Sequence, residues 1–124
     1  MDRAGAERFA RDWIDAWNAR DFETVLGWYA DDLRFTSPTA FEVVGRATVV
    51  GKPALRSYWG AALERIQSLE FTLDRTLWDP ERREIVIVYT SVTNGASKKV
   101  METLQLGAND VVVATEVFHG KVPA

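Results

Sequence analysis

The sequence predicts an α+β fold in which three N-terminal helices pack on one face of a curved antiparallel sheet. Two observations carry this expectation. Apolar residues recur every three or four positions as far as Gln67, then alternate with polar ones from Ser68 onward. Asn94-Gly95, the strongest two-residue hairpin signal in the chain, then separates two β-rich runs. Helices followed by consecutive strands imply layers segregated by type.

The elements follow in order. Ala6, Phe9, Ala10, Trp13, Ala16 and Trp17 give one apolar face to a helix over about residues 3–19, opposite Arg3, Glu7, Arg11, Asp12 and Asp15. Asp21 is placed to cap a short second helix whose Phe22, Val25, Leu26 and Tyr29 share a face. A loop rich in Ser, Pro and Thr comes next, and Asp31 and Asp32 read as solvated turn residues. Pro53 suits the first turn of a third helix reaching about Gln67, with Leu55, Tyr58, Trp59, Ala62 and Ile66 inward. Leu69, Phe71 and Leu73 then alternate against Glu70, Thr72 and Asp74. WDPERRE supplies a turn, IVIVYTSVT a strand, and further strands are expected over about 98–106 and 111–119.

Composition narrows the function classes. With 124 residues, 47% hydrophobic and 27% charged, the chain has the size and balance of one domain over 1–124. No apolar run approaches the roughly 18 residues of a membrane helix, and MDRAGAERFA lacks the apolar block of a secretory signal. A cytoplasmic protein without a membrane partner is expected. A net charge of −3 with scattered Lys and Arg provides no footprint for nucleic acid. Cysteine is absent and histidine occurs once, so no metal site is expected. Phosphate loops and dinucleotide fingerprints are missing as well, which leaves no cofactor to expect.

Hairpin counting singles out one acid. With Asn94-Gly95 at the turn, Thr93 faces Ala96, Ile87 faces Glu102 and Tyr89 faces Val100. A turn over Gly107–Asp110 sets Leu106 against Val111, Thr115 against Glu102 and Val117 against Val100. Directly opposed residues share a face, so Glu102 falls among Ile85, Ile87, Tyr89, Val100, Leu104, Val111, Val113, Thr115 and Val117. Beneath the helices its carboxyl group must find donors or stay protonated. Tyr89, diagonal to it, is the candidate partner. Two roles stay open for Glu102: a packing hydrogen bond in the core, or the acid, base or donor of a pocket.

The segments WIDAWNARDFETVLGWYADDLRFTSP and VVGKPALRSYW, with the late strands, resemble the nuclear transport factor 2-like superfamily. Within it the sequence is most similar to SnoaL-like and ketosteroid-isomerase-like proteins. The resemblance covers nearly all the chain. It implies a cystatin-like, cone-shaped barrel, often dimeric, with a pocket between helices and sheet. It also places the isomerase's oxyanion-binding tyrosine at Trp13, its aspartate base at Ser37 and its protonated aspartate at Glu102. The implied activity is that of a cofactor-free isomerase, cyclase or lyase moving protons on an apolar carbonyl compound. A binding protein or dimeric scaffold of the same fold is the alternative, favoured by Ser37 in place of a base.

Other residues complete the candidate site. Glu102 and Tyr89 are the catalytic candidates, with Trp13, Trp17, Phe35, Phe41, Tyr58, Trp59, Ile87 and Val100 as walls for a small apolar or aromatic ligand. His119 shares the Glu102 face but lies four residues further along by the predicted register, roughly 13 Å away. That distance argues against a direct pair and leaves His119 a ligand contact at the mouth or an exposed strand end. The opposite face, with Val86, Val88, Val92, Met101, Val112, Ala114 and Phe118, has no helix left to cover it. A second copy of the chain is the expected cover.

Overall fold

The computed structural model describes residues 1–120. Four helices pack on a six-stranded, curved and unclosed sheet, so the α+β expectation holds. In chain order these are α1 (Arg3–Asn18), α2 (Phe22–Gly27), β1 (Tyr29–Thr36), α3 (Pro38–Val44), β2 (Thr48–Val50), α4 (Lys52–Glu64), β3 (Leu69–Asp79), β4 (Glu84–Thr93), β5 (Ala96–Leu106) and β6 (Val112–His119). The strands lie side by side as β2-β1-β6-β5-β4-β3. All pairs are antiparallel except β1 with β6, which is parallel and corrects the wholly antiparallel sheet expected.

Capping sets the helix starts. Asp2 accepts from the Gly5 amide at 2.7 Å to begin α1, and Asp21 accepts from the Thr24 amide at 3.3 Å to begin α2, as anticipated. Helix α3 stands where the sequence predicts a loop. Ser37 caps it by accepting from the Thr39 amide at 3.2 Å, Pro38 occupies its first turn, and Gly45 ends it at φ 77°. Seven residues are too few to display a helical period, so only these end signals mark it. Asp31 and Asp32 are exposed, but they sit within β1, not in a turn.

Registers decide which side chains face inward. Across β4 and β5, Thr93 pairs with Ala96, Tyr89 with Val100 and Ile87 with Glu102, as counted from the turn. Asn94 at φ 51° and Gly95 at φ 80° form the turn with both central residues left-handed, the backbone twist that a tight hairpin requires. The second register differs. A 3-10 turn at Ala108–Asp110 and a bulge at Val113 pair Leu106 with Val112, Glu102 with Val117 and Val100 with His119. Val112 therefore points into the core in place of Val111 and Val113, and Thr115 lies opposite Leu104. The bulged Val113 side chain fills the space over Gly107, where a β-carbon would stand 2.7 Å from Val113 Cγ1.

Helix α1 drives its aromatic face into this surface. Trp13 is fully buried, with ring-centre distances of 5.9 Å to Trp17, 5.5 Å to Tyr89 and 6.3 Å to Phe71. Asn18, at the end of α1, binds the free edge of β3. It donates to the Phe71 carbonyl at 2.9 Å and accepts from the Phe71 amide at 2.7 Å. Left bare, this edge would offer unpaired amide and carbonyl groups to the strand of another chain.

The Asn94 side chain ties the hairpin to the connection between α4 and β3. It accepts from the amides of Gln67 at 2.7 Å and Ser68 at 3.2 Å, and donates to the Arg65 carbonyl at 2.9 Å. Replacing Asn94→Gly keeps the left-handed backbone but removes these three bonds. We expect a loss of about 2 kcal/mol, a fall in Tm of roughly 8 °C by thermal denaturation. An unchanged Tm would mean that the side chain contributes nothing to closing this loop.

Candidate functional site

Between the helices and the inner sheet face lies a cavity of about 370 Å³, within the usual size range of small-molecule sites. Helix α1 contributes Trp13 and Trp17, α4 Tyr58 and Trp59, and β1 Phe35. Phe71 and Tyr89 come from β3 and β4, Val100 and Glu102 from β5, Val117 and His119 from β6. Two predicted wall residues stand elsewhere. Phe41 is 61% exposed on α3, and Ile87, on β4 beside Glu102, is fully buried without reaching the cavity. Phe71 and Val117 are walls that the sequence reading did not assign. Phe71 has the inward alternation, but the long WDPERRE turn and the bulge at Asp74 leave its register with β4 unfixed by sequence, and Val117 faces the cavity through the shifted pairing of β5 with β6.

Glu102 is only 4% exposed and lies between Ile87 and Val117 on the neighbouring strands. Among the described residues no hydrogen bond reaches its carboxyl group, and burial raises its pKa to about 8. At neutral pH the group is therefore mostly a neutral acid, able to donate. Tyr89 sits diagonally across the strand pair, close enough for Glu102 to influence it, but makes no hydrogen bond with it. Burial first, then Glu102 and Tyr29, hold the Tyr89 hydroxyl well above its ordinary pKa. Burial and then Glu102 do the same to Tyr29, which the sequence reading had not placed near the acid. The Trp13 indole donates to the Tyr29 hydroxyl at 3.1 Å, so this buried donor is aimed at another side chain.

Ser37 is 3% exposed and lines the cavity, but its hydroxyl is engaged in capping α3. It also lies beside Tyr58, whose pKa is raised by burial and partly lowered by Ser37. Trp17 Nε1 is buried without a partner among the described residues. Such a donor is a cost to the fold unless something in the cavity accepts from it.

His119 is closer to Glu102 than the sequence suggested. Pairing with Val100 puts it one inward position from Val117, hence roughly 7 Å along the strands from Glu102 in place of roughly 13 Å. The 3-10 turn and the bulge at Val113 produce this change, one position each. Burial lowers the His119 pKa, Lys98 lowers it further, and Glu42 works against both. A neutral imidazole and a protonated carboxyl thus border one cavity at neutral pH. Among the described residues no group of three or more His, Asp or Glu could hold a metal ion. No helix of the described residues is long and apolar enough to cross a membrane.

The raised pKa of Glu102 has a thermodynamic consequence. Below about pH 4.5 the group is protonated in folded and unfolded chains alike. Between there and about 8 only the unfolded chain releases the proton, so folding stability falls as pH rises. Each unit of the difference is worth about 1.4 kcal/mol. Tm measured from pH 5 to pH 8.5 should fall more steeply for the wild type than for Glu102→Gln, and His119, common to both, cancels from the comparison. Parallel profiles would place the carboxyl group in solvent.

A SnoaL-like domain family model matches residues 10–122. A SnoaL-like protein of unknown function from Burkholderia thailandensis is 30% identical over 98% of each chain, with a TM-score of 0.87. A putative SnoaL-like polyketide cyclase from Shewanella denitrificans is 14% identical over 95% of this chain and 92% of that one, with a TM-score of 0.75. TerC, co-crystallised with polyporic acid, is 12% identical over 86% of this chain and 85% of that one, with a TM-score of 0.73. Other similar structures are described as NTF2-like, as having a cystatin-like fold and as a putative ketosteroid isomerase. No curated protein sequence matches the chain. With a family match over nearly its whole length and a close relative of the same description, the chain belongs to the SnoaL-like domain family.

Proposed function

We propose that the protein binds an apolar carbonyl compound and moves a proton on it without a cofactor. The observation that carries this reading is the neutral acid Glu102, buried against a cavity with no hydrogen-bond partner among the described residues. A carboxyl group kept protonated by burial can donate to a carbonyl oxygen as negative charge develops there. Neutral His119 is the base of this scheme. It takes a proton from the carbon beside the carbonyl as Glu102 donates to the oxygen, which leaves an enol and an imidazolium. Return of the imidazolium proton to the original or a conjugated carbon, with recovery of the hydroxyl proton by Glu102, restores the enzyme and completes an exchange or isomerisation. Opposed pKa shifts at two groups on one cavity are the pattern expected of an acid and its base. Trp13, Trp17, Tyr58, Trp59 and Phe71 suit a flat or aromatic body.

A binding role without chemistry is the second reading. Its support is Ser37, which stands where the isomerase resemblance puts the base and is occupied with capping α3. The two readings separate by α-proton exchange on 2-tetralone in deuterated water, followed by NMR. Wild type should exceed the buffer rate, and Glu102→Gln and His119→Asn should each lose about 100-fold. Equal rates in wild type and Glu102→Gln would remove the acid role. Binding of the ketone without any acceleration would favour the binding role.

Self-association through the outer sheet face completes the proposal. Val88, Met101 and Phe118 form one directly opposed row across β4, β5 and β6. Met101, Phe118, Val92 and Leu77 are exposed on this side of the sheet. A second copy would bury this row. Light scattering at micromolar concentration should give a dimer for the wild type and a monomer for Phe118→Lys. A monomeric wild type would contradict the proposal.

A further inference from the structure

We propose that the ligand of this cavity carries an anionic group of the carboxylate class, received at the mouth by Lys98. The inference rests on the binding reading above but not on catalysis by Glu102. On β5 the inward residues run Lys98, Val100, Glu102, Leu104 and Leu106, so the lysine occupies the same row as the buried acid, nearer the turn. Four residues separate Lys98 from Glu102, roughly 13 Å along the strand. Lys98 pairs with Ser91, itself only 3% exposed and also on the cavity wall.

Its neighbour in sequence supplies the contrast. Lys99 faces outward, where the bulged Asp74 of β3 holds its ammonium at 2.9 Å. Lys98 is partly buried and, among the described residues, has no ion-pair partner. A charge turned towards an apolar cavity is costly to desolvate unless an opposite charge meets it. Around the mouth stand Arg65 from the loop after α4, Glu42 from α3 and His119 from β6, with uncharged Thr93 and Asn94 beside them. Two permanent cations against one carboxylate leave the rim net positive when the imidazole is neutral.

An amphipathic ligand fits this division: an aromatic body along Trp13, Trp17 and Phe71, a carbonyl near Glu102 and an anion at Lys98. The test uses 2-naphthylacetate and its uncharged counterpart 2-naphthylacetamide, titrated by calorimetry at low salt. Backbone amide shifts along β5 locate the bound probe. Wild type should bind the carboxylate about fivefold more tightly than the amide, a difference of the size expected for a partly exposed ion pair. Added salt should reduce the preference. Lys98→Gln should abolish it and leave amide binding unchanged, with a native amide spectrum. Equal affinities in the wild type, or a preference that survives Lys98→Gln, would overturn the inference while the cavity-binding reading stands. Failure of both probes to bind or to shift β5 would overturn the two together.

Discussion

The structure depends on one constraint, the inward placement of a carboxyl group on β5. Asn94 and Gly95 adopt left-handed backbone angles that leave two residues in the turn, and this length fixes the pairing of β4 with β5. A slip of one residue would carry Glu102 to the outer face and bring Met101 or Thr103 into the cavity. The same turn residue ties down the loop after α4 through its side chain. Register and cavity mouth are thus set by one asparagine.

Burying an unpartnered acid works against folding, and this chain does little to relieve it. Ile87 and Val117 flank Glu102, and the tyrosines nearby hold their protons without bonding to it. A glutamine or leucine there would suit a purely structural core better. The aromatic helix face makes the arrangement tolerable by supplying large apolar burial elsewhere. Trp13 sits at its centre, stacked on Phe71 and edge-on to Trp17 and Tyr89. The inner sheet face adds Ile85, Ile87 and Leu104, all fully buried, so apolar burial on both layers offsets the one buried acid.

The legible parts of the sequence were those with a local geometric signal. Helix periodicity gave α1, α2 and α4, and the Asn-Gly turn gave the first hairpin pair by pair. The second hairpin carries no such signal: the 3-10 turn at Ala108–Asp110 moves the pairing by one position and the bulged Val113 by one more, which together bring His119 nearer to Glu102. Strand β1 is disguised by Asp31 and Asp32, two exposed carboxylates inside it that read as a turn, and β2 is only three residues long. Helix α3 was hidden by its length, and with it the outward direction of Phe41. Among the predicted site residues, six of the eight wall positions line the cavity, together with His119, Glu102 and Tyr89. The missing two are Phe41, on an unread helix, and Ile87, whose face was right but whose depth no sequence period reports.

The most direct measurement is the ionisation of Glu102 itself, followed by carboxyl-carbon NMR on protein labelled at glutamate side chains, with Glu102→Gln to assign the signal. The buried Glu102 carboxyl should give a resonance that titrates near pH 8, far above the exposed glutamates. A midpoint between pH 4 and 5, shared with exposed glutamates, would contradict it.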